Sequence, residues 1–242
     1  MNLPVKQLEN LLRDAGSIAV LTGAGISTAS GIPDFRSAGG LYSDERNVNV
    51  FDLPTFRRDP SIFYNFARRF YSQIRAARPN AAHRALAAWQ RLGMDLTVIT
   101  QNVDDYHQRA GSDPVYTVHG NYIDSTCQDC GARTETETLL PIIEHGDIPH
   151  CCCGGVFKPD ITFFGEMLPE TDWNAAVSTL SRADLVLVLG TSLTVFPAAG
   201  LPAYRSALAK LVIISRDPTS LDPEAQLVIH DDLCDTLSAV FL

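Results

Sequence analysis

A chain of 242 residues, 45% of them hydrophobic, can bury a sizeable core and is long enough for one large domain with a smaller insertion. Its formal charge of -9 argues against a duplex-binding surface, which needs a basic footprint. No stretch approaches the ~20 apolar residues of a membrane span, and Met1–Lys6 lacks the charged-then-apolar layout of a secretory leader, so a reducing cytoplasm is the expected setting.

Residues 5–14 read as a short amphipathic helix with Val5, Leu8, Leu11 and Leu12 on one face. Ile18-Ala19-Val20-Leu21 follows as a buried strand and breaks into Gly23-Ala24-Gly25. Glycine lets backbone amides approach phosphate oxygens, and a following helix would point its positive end at them. The third glycine of the dehydrogenase fingerprint is replaced by Thr28. The run continues into Ile32-Pro33-Asp34-Phe35-Arg36-Ser37, which an ordinary dinucleotide fold does not require. Residues 38–60 carry Gly, Asp, Asn and Pro with little periodicity and read mostly as loop. From Pro60 to Arg78, Ile62, Phe63, Phe66, Phe70 and Ile74 set a helical pattern, and residues 80–92 form a second helix that Gly93 can end.

Leu96–Thr100 is a strand by its β-branched content. Gln101, Asn102, Val103, Asp104 and Asp105 follow it, and their amides and carboxylates suit ribose hydroxyls and a carboxamide. Asp105 is the expected cap of the next helix. Val115–Val118 is strand-like and leads into His119-Gly120. An imidazole, with its ordinary pKa near ~6.5, is the usual general base at neutral pH. Of the six histidines, His119 stands out by its place between a strand and a glycine.

Residues 121–158 interrupt the alternation and read as an inserted module with short strands. Cys127 and Cys130 form a CxxC, and after 20 intervening residues come Cys151, Cys152 and Cys153 before Gly154-Gly155. Zn²⁺ takes four thiolate or imidazole ligands tetrahedrally, and a site filled by four protein ligands is structural rather than catalytic. The second pair is either Cys151 and Cys153 in a CxC spacing or His150 and Cys153. The thiolate pair is preferred, which leaves Cys152 spare, and Cys234 stands alone.

Beyond the module, strands at Asp184–Leu189, Leu211–Ile214 and Leu227–Ile229 alternate with helical segments near 170–181 and 198–209. This order predicts an α/β fold: a Rossmann-like parallel sheet covered by helices over residues 1–120 and 159–242, with a helical insertion at about 38–78 and the smaller zinc-binding module at 121–158. Ligands bind beyond the carboxyl ends of such strands. Gly23–Ser37, Gln101–His107, Gly190–Leu193 and Ser215–Asp217 all lie there, so one shared nucleotide crevice is expected.

Together, GAGISTASGIPDFRS (23–37), TQNVDDYHQRAG (100–111), HG (119–120), the cysteine pairs, KPDITFFGE (158–166) and GTSLTVFP (190–197) resemble the sirtuin family of NAD-dependent protein deacylases. They run in the family's order over about residues 8 to 232, and the likeness is to compact prokaryotic members. The resemblance implies NAD and a structural Zn²⁺, with an acetyl-lysine protein or peptide as partner and neither nucleic acid nor membrane. The implied reaction moves the acetyl group of acetyl-lysine to ADP-ribose and releases nicotinamide.

Carried over by residue, the resemblance implies His119 as base, aided by Asn102. Gly23, Ala24, Gly25, Thr28, Asp34, Phe35 and Arg36 would contact NAD. Gln101 and Asn102 would bind the ribose, and Val103 and Asp104 the carboxamide. Gly190, Thr191, Ser192, Ser215, Arg216 and Asp232 would take the phosphates and adenosine. Cys127, Cys130, Cys151 and Cys153 would hold the metal. Phe163, Phe164, Gly165, Glu166 and Val195 would flank the peptide in an added-strand mode. Tyr106 stands where the family usually has leucine, and Ser215 where it generally has asparagine. Members that remove succinyl groups carry a Tyr-x-x-Arg pair. Here Tyr64 is followed by Ala67 at the arginine position, which implies a preference for neutral acyl groups.

Overall fold

The computed structural model describes residues 3–35 and 39–241. Its main sheet has six parallel strands in the order β3-β2-β1-β7-β8-β9. These are β1 (Ile18–Thr22), β2 (Leu96–Thr100), β3 (Val115–Thr117), β7 (Leu185–Leu189), β8 (Lys210–Ile214) and β9 (Leu227–Ile229). The apolar runs that read as strands are buried on both faces because both faces are covered. One face packs Val20, Val98, Leu187 and Val212 against α1 (Leu3–Asp14), α4 (Ala81–Arg91) and α8 (Leu233–Ser238). The other packs Leu21, Ile99, Val188 and Ile213 against α7 (Glu170–Arg182) and the 3₁₀ helix Ala198–Tyr204. Alternate residues of one strand therefore serve two cores, as the two-residue strand period requires. The chain reverses its direction of sheet growth between β1 and β7, and the ends of these strands define the switch point where such sheets bind ligands.

A second sheet, β5-β4-β6, is antiparallel: β4 (Gly120–Cys127), β5 (Arg133–Glu135) and β6 (Phe157–Ile161). α6 (Thr136–His145) lies against β4. A third core joins this sheet to α2 (Leu53–Arg58) and α3 (Ser61–Ala76). It is aromatic: Phe51, Phe56, Phe63, Phe66 and Phe70 pack mostly edge to face, with Phe163 among them. Leu139, Leu140, Ile143 and Phe157 complete it from the smaller sheet's side. Tyr64 is buried there, its hydroxyl donating to the Phe157 carbonyl at 2.5 Å, and Arg68 donates to the Ile143 carbonyl at 3.0 Å.

Four local expectations are corrected. Among the described residues, no α-helix starts directly after the glycine loop. Two single 3₁₀ turns, Ala24–Ile26 and Thr28–Ser30, stand there, because Gly25 is drawn back by its N–H bond to the Gly190 carbonyl. Residues 38–60 include the helix Leu53–Arg58, capped by the Asp52 carboxylate on the Thr55 N–H. The segment 198–209 holds a 3₁₀ helix ending at Tyr204, with Pro202 inside it, rather than an α-helix. Asp105 sits at the N-cap position of α5 (Tyr106–Ala110) without a side-chain cap bond. Its neighbour Asp104 accepts the Tyr106 N–H instead, while Asp105 pairs with Arg109 and accepts the Tyr122 hydroxyl.

Candidate active site

Four neighbouring strand ends, β2, β1, β7 and β8, open into a single cavity of about 550 Å³. The loops after β1 and β7 touch backbone to backbone. The Gly23 N–H donates to the Leu189 carbonyl and the Gly25 N–H to the Gly190 carbonyl. A Cβ on Gly25 would come within 2.7 Å of the Gly190 carbonyl oxygen, and one on Gly190 within 2.6 Å of the Ile26 nitrogen. Gly190 also holds a φ of +58°, which favours glycine. The glycines thus serve close packing of two loops as well as access to a ligand.

Gly23, Ala24, Gly25, Thr28, Asp34 and Phe35 line this cavity from the first loop. Gln101, Asn102 and Val103 line it after β2; Gly190, Thr191, Ser192 and Val195 after β7; and Ser215 and Arg216 after β8. Asp232 closes one end, ion-paired to Arg216 at 2.6 Å. Arg36 lies outside the described residues. Asp104 does not line the main cavity. It borders a small recess of about 20 Å³ behind it, together with Ile32, Phe70 and Ile74.

His119 enters the cavity from the turn between β3 and β4. Its Nδ1 lies 2.9 Å from the Gln101 carbonyl, which can only accept, so Nδ1 carries the proton and Nε2 keeps its lone pair. Burial lowers the pKa of His119 below the ordinary histidine value, and the Gln101 bond opposes this. The imidazole is therefore neutral at pH 7 and basic at Nε2. Gly120 has a φ of +72°, and a Cβ there would overlap the Asp160 carbonyl, which explains the glycine after the histidine.

A buried polar chain joins the segments that follow β1 and β2. The Asn102 side chain donates to Ser27 Oγ at 3.1 Å, and Ser27 donates to Asp104 Oδ2 at 2.8 Å. The Asn102 N–H donates to Thr100 Oγ1, which also accepts from Thr22; Thr22 in turn faces His107 Nε2 at 3.1 Å. Burial raises Asp104 to about 6, against the pull of its Ser27 and Tyr106 bonds. Burial holds His107 well below the usual range, so it is a neutral core histidine.

The expected peptide segment differs from a strand. β6 stops at Ile161, and residues 163–166 make a turn in which the Glu166 N–H donates to the Phe163 carbonyl and Gly165 holds a φ of +93°. Phe163, Phe164, Gly165 and Glu166 all line the cavity, but Phe163 is 1% exposed and packs in the aromatic core, whereas Phe164 is 49% exposed. Tyr42, Phe51, Leu233 and Cys234 also line the cavity and carried no sequence signal beyond hydrophobicity or isolation, and Phe196, which lies within the GTSLTVFP motif without an assigned role, lines it too.

Cys127, Cys130, Cys151 and Cys153 bring their sulfurs within 4.8 Å of one another. Cys127 and Cys153 are 3.5 Å apart and Cys130 and Cys151 3.7 Å, close to the roughly 3.8 Å edge of a tetrahedron with Zn–S of about 2.3 Å. The pairs Cys127/Cys130 and Cys151/Cys153 each sit on a tight turn closed by a positive-φ glycine, Gly131 or Gly154. Cys152 Sγ is 3.9 Å from Cys151 Sγ but outside the group of four. His150 turns its Nδ1 to the Gly154 carbonyl and is likewise outside that group. The donor set and spacing fit a structural zinc.

A parallel sheet with a glycine-bridged crevice at its switch point, one neutral imidazole facing that crevice and a four-thiolate module beside it define a nucleotide-binding α/β enzyme scaffold. The Sir2 family model matches residues 23–197, and the chain belongs to the Sir2 family. It is 41% identical over 240 residues to an NAD-dependent protein deacetylase of Cutibacterium acnes, covering 97% of this chain and 96% of that one. It is 42% identical over 234 residues to the NAD-dependent protein deacetylase of Thermotoga maritima, covering 96% and 94%. A solved Sir2–p53 peptide–NAD⁺ complex superimposes with a TM-score of 0.89 at 40% identity, covering 98% of this chain and 96% of that chain. Among the described residues, no helix is long and apolar enough to cross a membrane.

Proposed function

We propose that this chain is an NAD-dependent protein lysine deacetylase that transfers the acetyl group of acetyl-lysine to ADP-ribose. The observation that carries this reading is the free Nε2 of a half-buried, neutral His119 facing a crevice built from four strand ends. When bound, NAD supplies a ribose carbon whose leaving group is nicotinamide.

The protein's own groups then have distinct tasks. Gly23, Ala24, Gly25, Thr28, Gly190, Thr191 and Ser192 would cradle the phosphates with backbone amides and hydroxyls. Ser215, Arg216 and Asp232 would receive the adenosine. Gln101 and Asn102 would hold the nicotinamide ribose, Val103 and Asp104 the carboxamide in the recess behind it, and Asp34 and Phe35 would line the cavity beside them, with Arg36 a further NAD contact. His119 Nε2 would take a proton from a ribose hydroxyl, and the Nδ1–H bond to Gln101 would stabilise the imidazolium that forms. Phe163–Glu166 and Val195 would flank the peptide. Zn²⁺ on Cys127, Cys130, Cys151 and Cys153 would be structural, and such reduced thiols suit a reducing cytoplasm.

Incubation with an acetyl-lysine peptide, with and without NAD, tests this by mass spectrometry. The expected result is NAD-dependent loss of the acetyl mass and matching formation of O-acetyl-ADP-ribose. Free ADP-ribose formed independently of the peptide would instead indicate an NAD hydrolase.

Acyl preference follows from charge. Tyr64 is buried against Phe157, and Ala67 brings no cation. Arg216 is the one lysine or arginine among the described residues lining the cavity; it is paired with Asp232 and follows β8, roughly 14 Å across the sheet from β2. An acyl carboxylate would enter an apolar channel unpaired. Acetyl peptide is expected to be turned over at least about tenfold faster than succinyl peptide in kcat/KM, and the opposite order would refute the reading.

Gly190→Ala is expected to cost about 2 kcal/mol through its positive φ alone. It would also push apart the two loops that touch there. The predicted readout is loss of the thermal shift that NAD gives the wild type.

A further inference from the structure

Lys158 is 4% exposed, an unusual place for an ammonium. Its three donors are all used: on the Pro159 carbonyl at 3.1 Å, the Ile161 carbonyl at 2.8 Å and Glu166 Oε2 at 2.9 Å. The ammonium also lies 4.2 Å from the centre of the Phe163 ring. The same Glu166 oxygen accepts the Phe163 N–H at 2.7 Å, so the carboxylate sits inside the 163–166 turn and the lysine anchors it from beneath. Between these anchor points, the Thr162 N–H donates to the His119 carbonyl at 2.8 Å. One buried cation thus ties the end of β6 to the turn at the cavity mouth, and the segment it holds is itself bonded to His119.

We propose that Lys158 is a positioning residue for the protein substrate: with Glu166 it holds the Phe163–Glu166 turn in the shape that presents Phe164 and Gly165 to an acyl-lysine peptide. This rests on the deacetylase reading above. Among the described residues, the hydrogen-bond, ion-pair and ring partners of the Lys158 ammonium all lie in residues 159–166 and none in the cofactor loops after β1, β7 and β8, so the two substrates separate its effect from a general loss of structure. A glutamine at 158 is shorter and uncharged: it would leave the partly buried Glu166 without its counter-ion and, with only two N–H donors, could not serve all three acceptors. The turn would relax, and the peptide would lose a preformed edge.

The test is steady-state kinetics of Lys158→Gln, Lys158→Arg and Glu166→Gln on an acetyl-lysine peptide with NAD, beside direct peptide binding by fluorescence anisotropy. Lys158→Gln is expected to raise the KM and the Kd for peptide about tenfold while KM for NAD stays within about twofold. Lys158→Arg, which restores charge and donors, is expected to recover most of the peptide affinity. If Lys158→Gln does not fold, as judged by circular dichroism and melting, Glu166→Gln carries the same expectation, because it removes the carboxylate from the turn. Unchanged peptide affinity in a folded variant, or equal losses for peptide and NAD, would overturn the proposal. A wild-type protein that turns over no acetyl peptide would instead overturn the functional reading, so the two failures are distinct.

Discussion

Replacing His119 by alanine is expected to lower kcat on an acetyl-lysine peptide by about 10²–10⁴-fold, the usual worth of a positioned general base. NAD affinity and the melting temperature should change little, because the ring gives the fold a single hydrogen bond, to the Gln101 carbonyl. The same residue sets a pH dependence. The base must be neutral, and burial depresses its pKa below the ordinary 6.5. Activity is therefore expected to be full at neutral pH and to fall as pH drops through that lowered value, so the acid limb of the kcat profile lies below 6.5. A His119→Ala variant with undiminished deacetylation, or a limb above pH 7, would exclude the residue as the base.

Removing the metal is expected to have the second large effect. The wild type should carry one zinc per chain, measured by elemental analysis. Cys127→Ser, Cys130→Ser, Cys151→Ser and Cys153→Ser should each lose it, whereas Cys152→Ser should keep it, because Cys152 lies outside the group of four sulfurs. The stakes are large: a structural zinc contributes about 10–16 kcal/mol in zinc-finger peptides. The damage would not stay local. Leu139, Leu140, Ile143 and Phe157 share one core with Phe63, Phe66, Phe70 and Phe163, so loosening the small sheet exposes the aromatic cluster that backs the 163–166 turn. Loss of zinc by Cys152→Ser with retention by Cys151→Ser would show that a different sulfur completes the site.

The buried strands were legible in the sequence because a parallel sheet covered on both faces leaves its strands as unbroken apolar runs, and Ile18–Leu21 and Leu185–Leu189 are such runs. The polar and glycine-rich segments after them were legible as site segments for a related reason: residues that interrupt such runs at strand ends lie where ligands bind. The conformations of those segments were not legible. The glycine loop forms 3₁₀ turns because Gly25 bonds to Gly190, 165 residues further along, a contact that no local propensity encodes. The Phe163–Glu166 segment turns instead of extending because a lysine five residues before Phe163 and a carboxylate three residues after it meet beneath it.

By itself, then, the sequence determined the α/β order, the cysteine candidates and the family, since each is carried by residue type and spacing along one chain. The tertiary structure alone decided that the His119 Nδ1 faces a carbonyl and leaves Nε2 free, and that Cys151 and Cys153 join the group of four while Cys152 and His150 do not. It also decided that Asp104 lies in a recess behind the main cavity and that Lys158 spends its three donors under the turn. The physical reason is common to all four. Protonation, ligation and anchoring depend on directions and distances between groups far apart in the chain, and those are fixed only when the strands that carry them pack side by side.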